Sequence, residues 1–211
     1  MTMTNDRVAP ALFTIGHSNH EWPRFVRLLQ AHRIDAIADV RSSPYSRFVT
    51  QYNRGTIELE LRKVRIRYAF LGEELGARRG EKECYLNGKV SYPLVAQLPA
   101  FRSGLDRLRS GLKTYRIALM CAEKDPITCH RMVLVTRALR DEKIVIHHIL
   151  ADGRADPAAE TEERLLRAAG LPSLDLFRPR AEMLADAFRL QGERLAYTEQ
   201  VESPELQAVE S

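Results

Sequence analysis

Short apolar segments rich in β-branched residues alternate with longer amphipathic segments along most of this chain, and this alternation constrains the fold more than any other feature. The strand-like segments are 11–16, 35–40, 66–71, 116–121 and 144–149. Strands that alternate with helices pair in parallel, through right-handed crossovers that place helices on both faces of the sheet. The sequence therefore predicts an α/β fold, a three-layer sandwich around an open, mainly parallel sheet of about five strands.

Apolar residues at three- and four-residue steps predict the helices between these strands. One helix is predicted over about 23–33, a second follows Asn53, and a third covers 101–112 after a shorter helical turn at 93–98. The clearest follows the fourth strand, where Thr128 is a good N-cap and an apolar face begins four residues later.

The pattern changes near residue 154, which predicts three regions. Residues 10–153 form the α/β core domain, 154–194 a helical extension and 195–211 a disordered acidic tail. Two helices are expected in the extension, at about 159–169 and 179–193, separated by the sequence GLPSLDLFRP.

Charge is distributed unevenly along the 211 residues. Residues 1–153 carry 25 Lys and Arg against 16 Asp and Glu, whereas residues 154–211 carry 7 against 12. A basic body attracts phosphate-bearing partners at long range, so a nucleotide or a nucleic acid is the expected ligand class. A solvated basic surface with no such ligand is the alternative.

Hydropathy and cysteine usage predict a cytoplasmic protein without a membrane partner. The longest apolar run is far shorter than the ~20 residues that span a bilayer, and the first ten residues do not resemble a signal peptide. Three cysteines, an odd number, do not suggest the disulfide framework of a secreted protein.

Chemically unusual residues follow four of the five predicted strands. In open parallel sheets, ligands bind at the carboxyl ends of the strands, where helix N-termini also point. The residues in question are His17 after the first strand; Asp39, Arg41, Tyr45 and Arg47 at the second; GEELGARRG (72–80) after the third; and CAEKDPITCHR (121–131) at the fourth. Their convergence is the strongest functional signal in the sequence.

The motif CAEKDPITCHR predicts a reactive thiol. On the helix assignment above, Cys129, His130 and Arg131 occupy the first turn, where free backbone N–H groups stabilise a thiolate. Cys129 is then the nucleophile or a thiolate ligand, and Arg131 holds an anionic substrate. Glu123, two residues beyond Cys121 and on the same side, is the candidate acid or base together with His130. The alternative is that the cysteines only pack in the core.

Other residues at this edge are predicted to bind the substrate. Asp39 lies within an apolar run and should pair with Arg41 or His17, because a buried unpaired carboxylate is costly. A basic and aromatic rim suits nucleotides, since guanidinium groups pair with phosphate while rings stack on bases. The rim comprises Arg41, Arg47, Arg54, Arg78 and Arg79, interleaved with Tyr45, Phe48 and Tyr52.

Cofactor motifs are scarce in this sequence. The spacing Cys-x7-Cys-His differs from that of structural zinc sites, and a metal site would need a further ligand such as His17 or Glu123. No metal ligand is therefore assigned, and no cofactor is specified. The GxxxxGK[ST] and GxGxxG loops are absent, which argues against nucleoside triphosphatases and dinucleotide oxidoreductases.

Five motifs make the chain resemble the domain-of-unknown-function family 488 over about residues 11–152. They are TIGHSN (14–19), DVRSSPYSRF (39–48), QYN (51–53), FLGEELGAR (70–78) and LMCAEKDPITCHR (119–131). The resemblance implies the fold and the site more firmly than a reaction. Its motifs fall on His17, Asp39, Arg41, Ser43, Pro44, Gly72, Gly76, Cys121, Glu123, Cys129, His130 and Arg131.

Three functional hypotheses follow. The first is an enzyme that acts on a phosphate-bearing substrate, a nucleotide or a nucleic acid, through the Cys, Glu, His and Arg residues at the sheet edge. The second is a nucleic-acid or nucleotide-binding module without catalysis, in which the rim alone makes contact. The third is a thiol redox sensor in which Cys121 and Cys129 form a reversible disulfide.

Overall fold

A computed structural model describes residues 10–199 and contains eight strands in this part of the chain. The strands are β1 (Ala11–Gly16), β2 (Ala36–Asp39), β3 (Arg67–Phe70), β4 (Tyr85–Leu86), β5 (Lys89–Val90), β6 (Ile117–Cys121), β7 (Val145–Ile149) and β8 (Ala155–Pro157). Six of them form one sheet in the order β3-β2-β6-β1-β7-β8, and β4 pairs with β5 in a hairpin. All neighbours in the main sheet are parallel except β7 and β8. The predicted α/β fold is confirmed.

Helices cover both faces of the main sheet. They are α1 (Trp22–Ala31), α2 (Arg54–Lys63), α3 (Gly72–Leu75), α4 (Tyr92–Val95), α5 (Pro99–Leu112), α6 (Arg137–Leu139), α7 (Ala158–Ala168) and α8 (Arg180–Leu195). A π-helical segment, Arg131–Thr136, precedes α6, and short 3-10 turns occupy Thr50–Tyr52, Lys82–Cys84 and Pro126–Thr128. The ends of the four predicted core helices agree with those of observed helices to within about two residues. The exception is the start of the fourth helix.

Two apolar cores lie on opposite faces of the sheet, because successive residues of a strand point to opposite sides. On β1, Leu12 packs in the core that contains α5, the π-helical segment, α7 and α8. Its neighbour Phe13 packs in the core that contains α1 and α2. The central strands are therefore buried on both faces, as near-continuous apolar runs predict.

The helix after β6 begins later than predicted. Thr128 belongs to the 3-10 turn Pro126–Thr128, whose start is capped by Asp125 through a bond accepted from the Ile127 backbone N–H. Cys129 is extended, with φ −139°, and the helical conformation begins at His130 and Arg131. Asp125 and Pro126 close a turn of their own, so Cys129 precedes the helix instead of lying in its first turn.

The C-terminal helices α7 and α8 pack on the core and on the loop that follows β6. Leu165, Leu166, Met183 and Phe188 are buried in the core that contains Leu12. The side-chain amide of Gln191 donates to Ile127 O at 2.7 Å, which ties α8 to that loop.

The chain after α8 pairs with the β4–β5 hairpin. Val90 N donates to Tyr197 O and Glu199 N donates to Gly88 O, both at 2.9 Å. The predicted disordered tail falls mostly on residues 200–211, which lie outside the described residues. Within residues 10–199, no helix has the length and apolarity required to cross a membrane.

Candidate functional site

The loop between β6 and the π-helical segment gathers four side chains at the carboxyl edge of the sheet. Cys121 ends β6, Glu123 lies in the loop, and Cys129 and His130 directly precede the helix. One ligating atom from each of the four lies within 4.8 Å of the others. All four predicted catalytic residues therefore come together. We call this group the cysteine cluster.

Gly16 allows the loop to approach the sheet this closely. A Cβ atom at Gly16 would lie only 1.8 Å from the backbone oxygen of Glu123, a distance that no side chain tolerates. The adjacent backbone is tied to the same loop, because His17 N donates to Cys121 O and Ser18 N donates to Ala122 O, both at 2.9 Å. The end of β1 thus fixes the position of Glu123.

Hydrogen bonds connect the members of the cysteine cluster. Cys129 Sγ lies 2.9 Å from Glu123 Oε2, so one proton lies between the sulfur and the carboxylate. His130 Nδ1 lies 3.6 Å from Cys121 Sγ and 3.9 Å from Cys129 Sγ. The backbone N–H of Arg131 donates to Cys129 Sγ at 3.4 Å.

The orientation of the His130 ring is set from outside the cluster. Its Nε2 lies 2.9 Å from the backbone oxygen of Val40. A carbonyl oxygen can only accept, so Nε2 carries a hydrogen and donates it. In the neutral ring, Nδ1 then has a lone pair towards the two sulfurs, which is the arrangement that metal-binding histidines usually show. Burial lowers the pKa of His130, but the hydrogen bond to Cys129 and the charge of Cys129 outweigh burial and raise it, and the protonated ring donates from Nδ1 to that sulfur.

The four members of the cysteine cluster differ in their exposure to solvent. Cys121, Cys129 and His130 are buried, and only 1% of Cys129 is exposed. Glu123 is open to solvent. Glu123 is therefore the solvent-exposed member of the cluster.

Interactions within the cluster shift the pKa values in opposite directions. Burial opposes ionisation of Cys129, but the hydrogen bond from Cys121 and the charge of Arg131 outweigh it and hold its pKa well below the ordinary value. The hydrogen bond to Cys129, together with burial, raises the pKa of Cys121. Burial and the nearby Cys129 charge raise the pKa of Glu123. These directions favour ionisation of Cys129 over ionisation of Cys121 or Glu123.

Arg131 is fully buried beneath the loop. Its guanidinium donates to Glu123 O at 2.6 Å and to Lys124 O at 3.2 Å, while Nε has no hydrogen-bond partner among residues 10–199. This predicted anion-binding residue therefore holds the loop backbone, with two of its donor groups already engaged.

A second polar network lies beside the cysteine cluster on β2. Arg41 donates to both oxygens of Asp39, with Nε–Oδ1 2.9 Å and Nη2–Oδ2 2.6 Å, and also to Tyr52 O at 2.8 Å. The predicted pairing of Asp39 with Arg41 is confirmed. Val40, between these two residues in sequence, is the one whose carbonyl orients His130, so the network and the cluster share one backbone segment.

His17 belongs to this network and is buried. Arg41 Nη1 lies 3.2 Å from His17 Nε2, and His17 Nδ1 lies 2.8 Å from Ser18 O. Arginine can only donate, so Nε2 accepts and Nδ1 carries the hydrogen. Burial, then the charge of Arg41, lower the pKa of His17 to about 4. The ring stacks on Tyr52 with centroids 4.2 Å apart.

Only part of the predicted rim is exposed. Tyr45, Arg47, Phe48, Arg54 and Arg78 are exposed, whereas Arg41, Arg79 and Tyr52 are buried. Three exposed guanidinium groups already lie over aromatic rings: Arg47 over Phe48, Arg54 over Phe70 and Arg78 over Tyr197. Cations and rings are thus paired at this edge of the sheet.

Comparison with known proteins supplies one match. The sequence pattern of the family described as domain of unknown function DUF488 matches residues 21–138, more than half of the chain. The protein belongs to the DUF488 family. Among curated proteins and solved structures, no match was found.

The matched region of this DUF488 protein contains most of the site. It includes the Asp39 and Arg41 network and the whole cysteine cluster. It excludes His17 and both C-terminal helices. The helices α7 and α8, which pack on the loop after β6, therefore lie outside the matched part.

Two buried residues near the site lie outside every motif that predicted a functional residue. Tyr92 begins α4, and its pKa is raised by burial and by the neighbouring charge of Cys129. His148 lies on β7, where its Nδ1 is 2.9 Å from Thr14 Oγ1 on β1. The sequence did contain a signal for His148, because a histidine on a buried strand needs a hydrogen-bond partner. That signal was the pair of adjacent histidines, His147 and His148, in an apolar strand.

We expect acidification below pH 6.5 to destabilise this DUF488 protein through His148. Burial, followed by the charge of Arg131, lowers the pKa of His148 from 6.5 to about 3. Between these values the unfolded chain binds a proton that the folded chain excludes, so the free energy of unfolding falls by up to about 1.4 kcal/mol per pH unit. Denaturation from pH 4 to 7 measures the slope. His148→Gln should reduce it, and an unchanged slope contradicts the assignment.

Tyr68→Phe is expected to lower the free energy of unfolding by about 2 kcal/mol. The Tyr68 hydroxyl donates to Asp39 Oδ2 at 2.8 Å, and a hydrogen bond to a charged group is worth this amount. Chemical denaturation measures the loss. The matched control is Tyr45→Phe on the exposed rim, which should change stability by less than about 0.5 kcal/mol. Equal effects at the two tyrosines contradict the prediction.

Proposed function

We propose that this DUF488 protein is a metal-dependent hydrolytic enzyme that acts on a phosphate-bearing substrate, a nucleotide or a nucleic acid. Cys121, Cys129 and His130 would hold a cation of the zinc class, and Glu123 would transfer the proton. The observation that carries the proposal is the convergence of three buried ligands with one exposed carboxylate, all within 4.8 Å. Of the two further residues that the sequence offered, His17 and Glu123, Glu123 lies within the cluster.

The donor set favours zinc over hard cations. Two sulfurs and an imidazole nitrogen suit Zn²⁺, whereas Mg²⁺ and Ca²⁺ prefer sites built from oxygen atoms. The bond from His130 Nε2 to Val40 O supplies the outer-shell support that fixes the ring.

The exposure of Glu123 favours a catalytic site over a structural one. Structural zinc sites are closed by four protein ligands, whereas catalytic sites use three and leave the fourth position to water or substrate. The three buried members of the cluster are the candidate ligands, and the exposed Glu123 lies on the side open to solvent. A carboxylate on that side could exchange a proton with a water molecule at the site.

A zinc-class cation held by Cys121, Cys129 and His130 would supply Lewis acidity to the site. Glu123 would accept one proton from a water molecule, whose oxygen then bonds to the electrophilic centre of the substrate. The bond to the leaving group breaks, and Glu123 returns the proton to it. The net reaction consumes one water and leaves the cation and Glu123 unchanged.

The exposed rim supports the substrate class. Arg47 and Arg78 are exposed guanidinium groups at the carboxyl edge, and Tyr45 and Phe48 are exposed rings beside them. Guanidinium groups bind phosphate, and aromatic rings stack on bases. Arg41 and Arg131 support the site in a different way, since both are buried and hold backbone or carboxylate oxygens.

A second candidate is an enzyme that uses Cys129 as a nucleophile without a metal. The 2.9 Å contact with Glu123 favours it, because the carboxylate could accept the thiol proton. The 1% exposure of Cys129 favours the metal-ligand role, since a nucleophile must reach its substrate.

The proposal is tested with metal-stripped protein, with and without added Zn²⁺, on mononucleotides and short single-stranded oligonucleotides. Product analysis by mass spectrometry should show hydrolysis only with Zn²⁺. Glu123→Gln should retain Zn²⁺ and lose at least about 100-fold in rate, whereas Glu83→Gln, on an exposed turn, should match wild type. Zinc binding without turnover of any substrate overturns the enzymatic proposal, and turnover without metal favours the Cys129 nucleophile.

A further inference from the structure

The loop between α7 and α8 exposes three large apolar side chains within four residues. Leu174, Leu176 and Phe177 have 84%, 91% and 92% of their surfaces exposed. In residues 10–199, Phe48 is the only other large apolar residue exposed to this degree. We call residues 174–177 the hook. An apolar cluster this open usually marks a contact with another molecule.

Polar contacts hold the hook in one conformation. The Asp175 carboxylate accepts from the backbone N–H groups of Phe177 at 2.8 Å and Arg178 at 3.0 Å, which closes a turn. Arg178 pairs with Asp186 of α8, and Arg180 pairs with Glu163 of α7, both at 2.6 Å. The loop is thus anchored at its base while its apolar side chains point away from the core.

An apolar groove of about 490 Å³ lies along the second half of α8. Val90, Tyr92, Leu94 and Phe188 supply apolar surface, and Lys89 and Arg137 supply positive charge, while Arg189 pairs with Glu193 at 3.0 Å on the same lining. The groove can accept a few apolar side chains, and its positive residues complement the Asp175 carboxylate of the hook.

We infer that two copies of this chain form a symmetric dimer in which the hook of each copy fills the groove of the other. The hook precedes α8, and the groove borders residues 188–193 of the same helix, roughly 20 Å further along it. The rigid helix keeps each hook away from its own groove. A two-fold axis across paired antiparallel α8 helices brings each hook to the partner groove, so one contact is made twice.

This inference is independent of the proposed enzymatic function, and the mass of the full chain in solution tests it. Sedimentation equilibrium of wild type should show a dimer. Phe177→Asp should weaken dimerisation by roughly 30-fold or more, because a charge replaces a ring that the proposed dimer buries. Lys89→Glu should also weaken it from the groove side. The matched control is Leu59→Asp, on the exposed surface of α2, which should remain dimeric.

A separate control shows whether the Phe177→Asp variant is folded. The exposed hook side chains contribute little to the core, so Phe177→Asp should keep the wild-type circular dichroism spectrum and melting temperature at concentrations where both chains are monomeric. A wild type that is monomeric at about 100 µM, or a Phe177→Asp variant that dimerises like wild type, overturns the inference. In the first case the hook would serve a different protein.

Discussion

Cys129→Ser is expected to weaken Zn²⁺ binding by more than about 100-fold, because it removes one of three buried ligands and leaves a hydroxyl that zinc binds poorly. Competition with a chromophoric chelator measures the affinity. Cys121→Ser and His130→Gln should have effects of the same order, since each supplies a ligand atom to the same cluster.

Cys84→Ser is the matched control for this prediction. Cys84 is also buried, but its sulfur donates to Glu81 O at 3.0 Å and it does not belong to the cysteine cluster. Its replacement should leave the Zn²⁺ affinity within about twofold of wild type. Equal losses at Cys84 and Cys129 would indicate general destabilisation and contradict the metal assignment.

Arg131→Met is expected to lower the free energy of unfolding by about 3–5 kcal/mol. The substitution removes the donors to Glu123 O and Lys124 O from a fully buried position, and buried carbonyls without donors are costly. A shorter, apolar side chain also leaves part of the space empty. Arg131→Lys should lose less, because an ammonium group can still reach one of the two oxygens.

Urea denaturation of the metal-stripped protein separates this effect from metal binding. The matched control is Arg27→Met, on the exposed face of α1, which should change stability by less than about 0.5 kcal/mol. A loss below about 1 kcal/mol for Arg131→Met would show that Arg131 does not support the loop.

Periodicity predicted five of the six strands of the main sheet. All five predicted strands exist, because buried parallel strands are continuous apolar runs. The sixth strand, β8, was missed because it is three residues long and includes Pro157, which is unfavourable inside a sheet. The start of the helix after β6 was misplaced because Asp125 caps a separate 3-10 turn, a choice that local propensity at Thr128 does not reveal.

The convergence of the site residues was predictable, but their individual surroundings were not. Chain topology alone brings the carboxyl ends of β1, β2 and β6 to one edge. Burial of Arg131 instead requires the loop after β6 and the packing of α7 and α8, which are distant in sequence. The contact between His148 and Thr14, which are 134 positions apart in sequence, depends on the register of β7 against β1.

The central claim is that Cys121, Cys129 and His130 bind a zinc-class cation, and cobalt substitution tests it most directly. Metal-stripped protein with one equivalent of Co²⁺ should show near-ultraviolet sulfur-to-cobalt charge transfer and intense visible bands, which indicate thiolate ligands in tetrahedral geometry. Both features should disappear in Cys129→Ser and persist in Cys84→Ser. A wild-type spectrum that equals that of aqueous Co²⁺ would contradict the account.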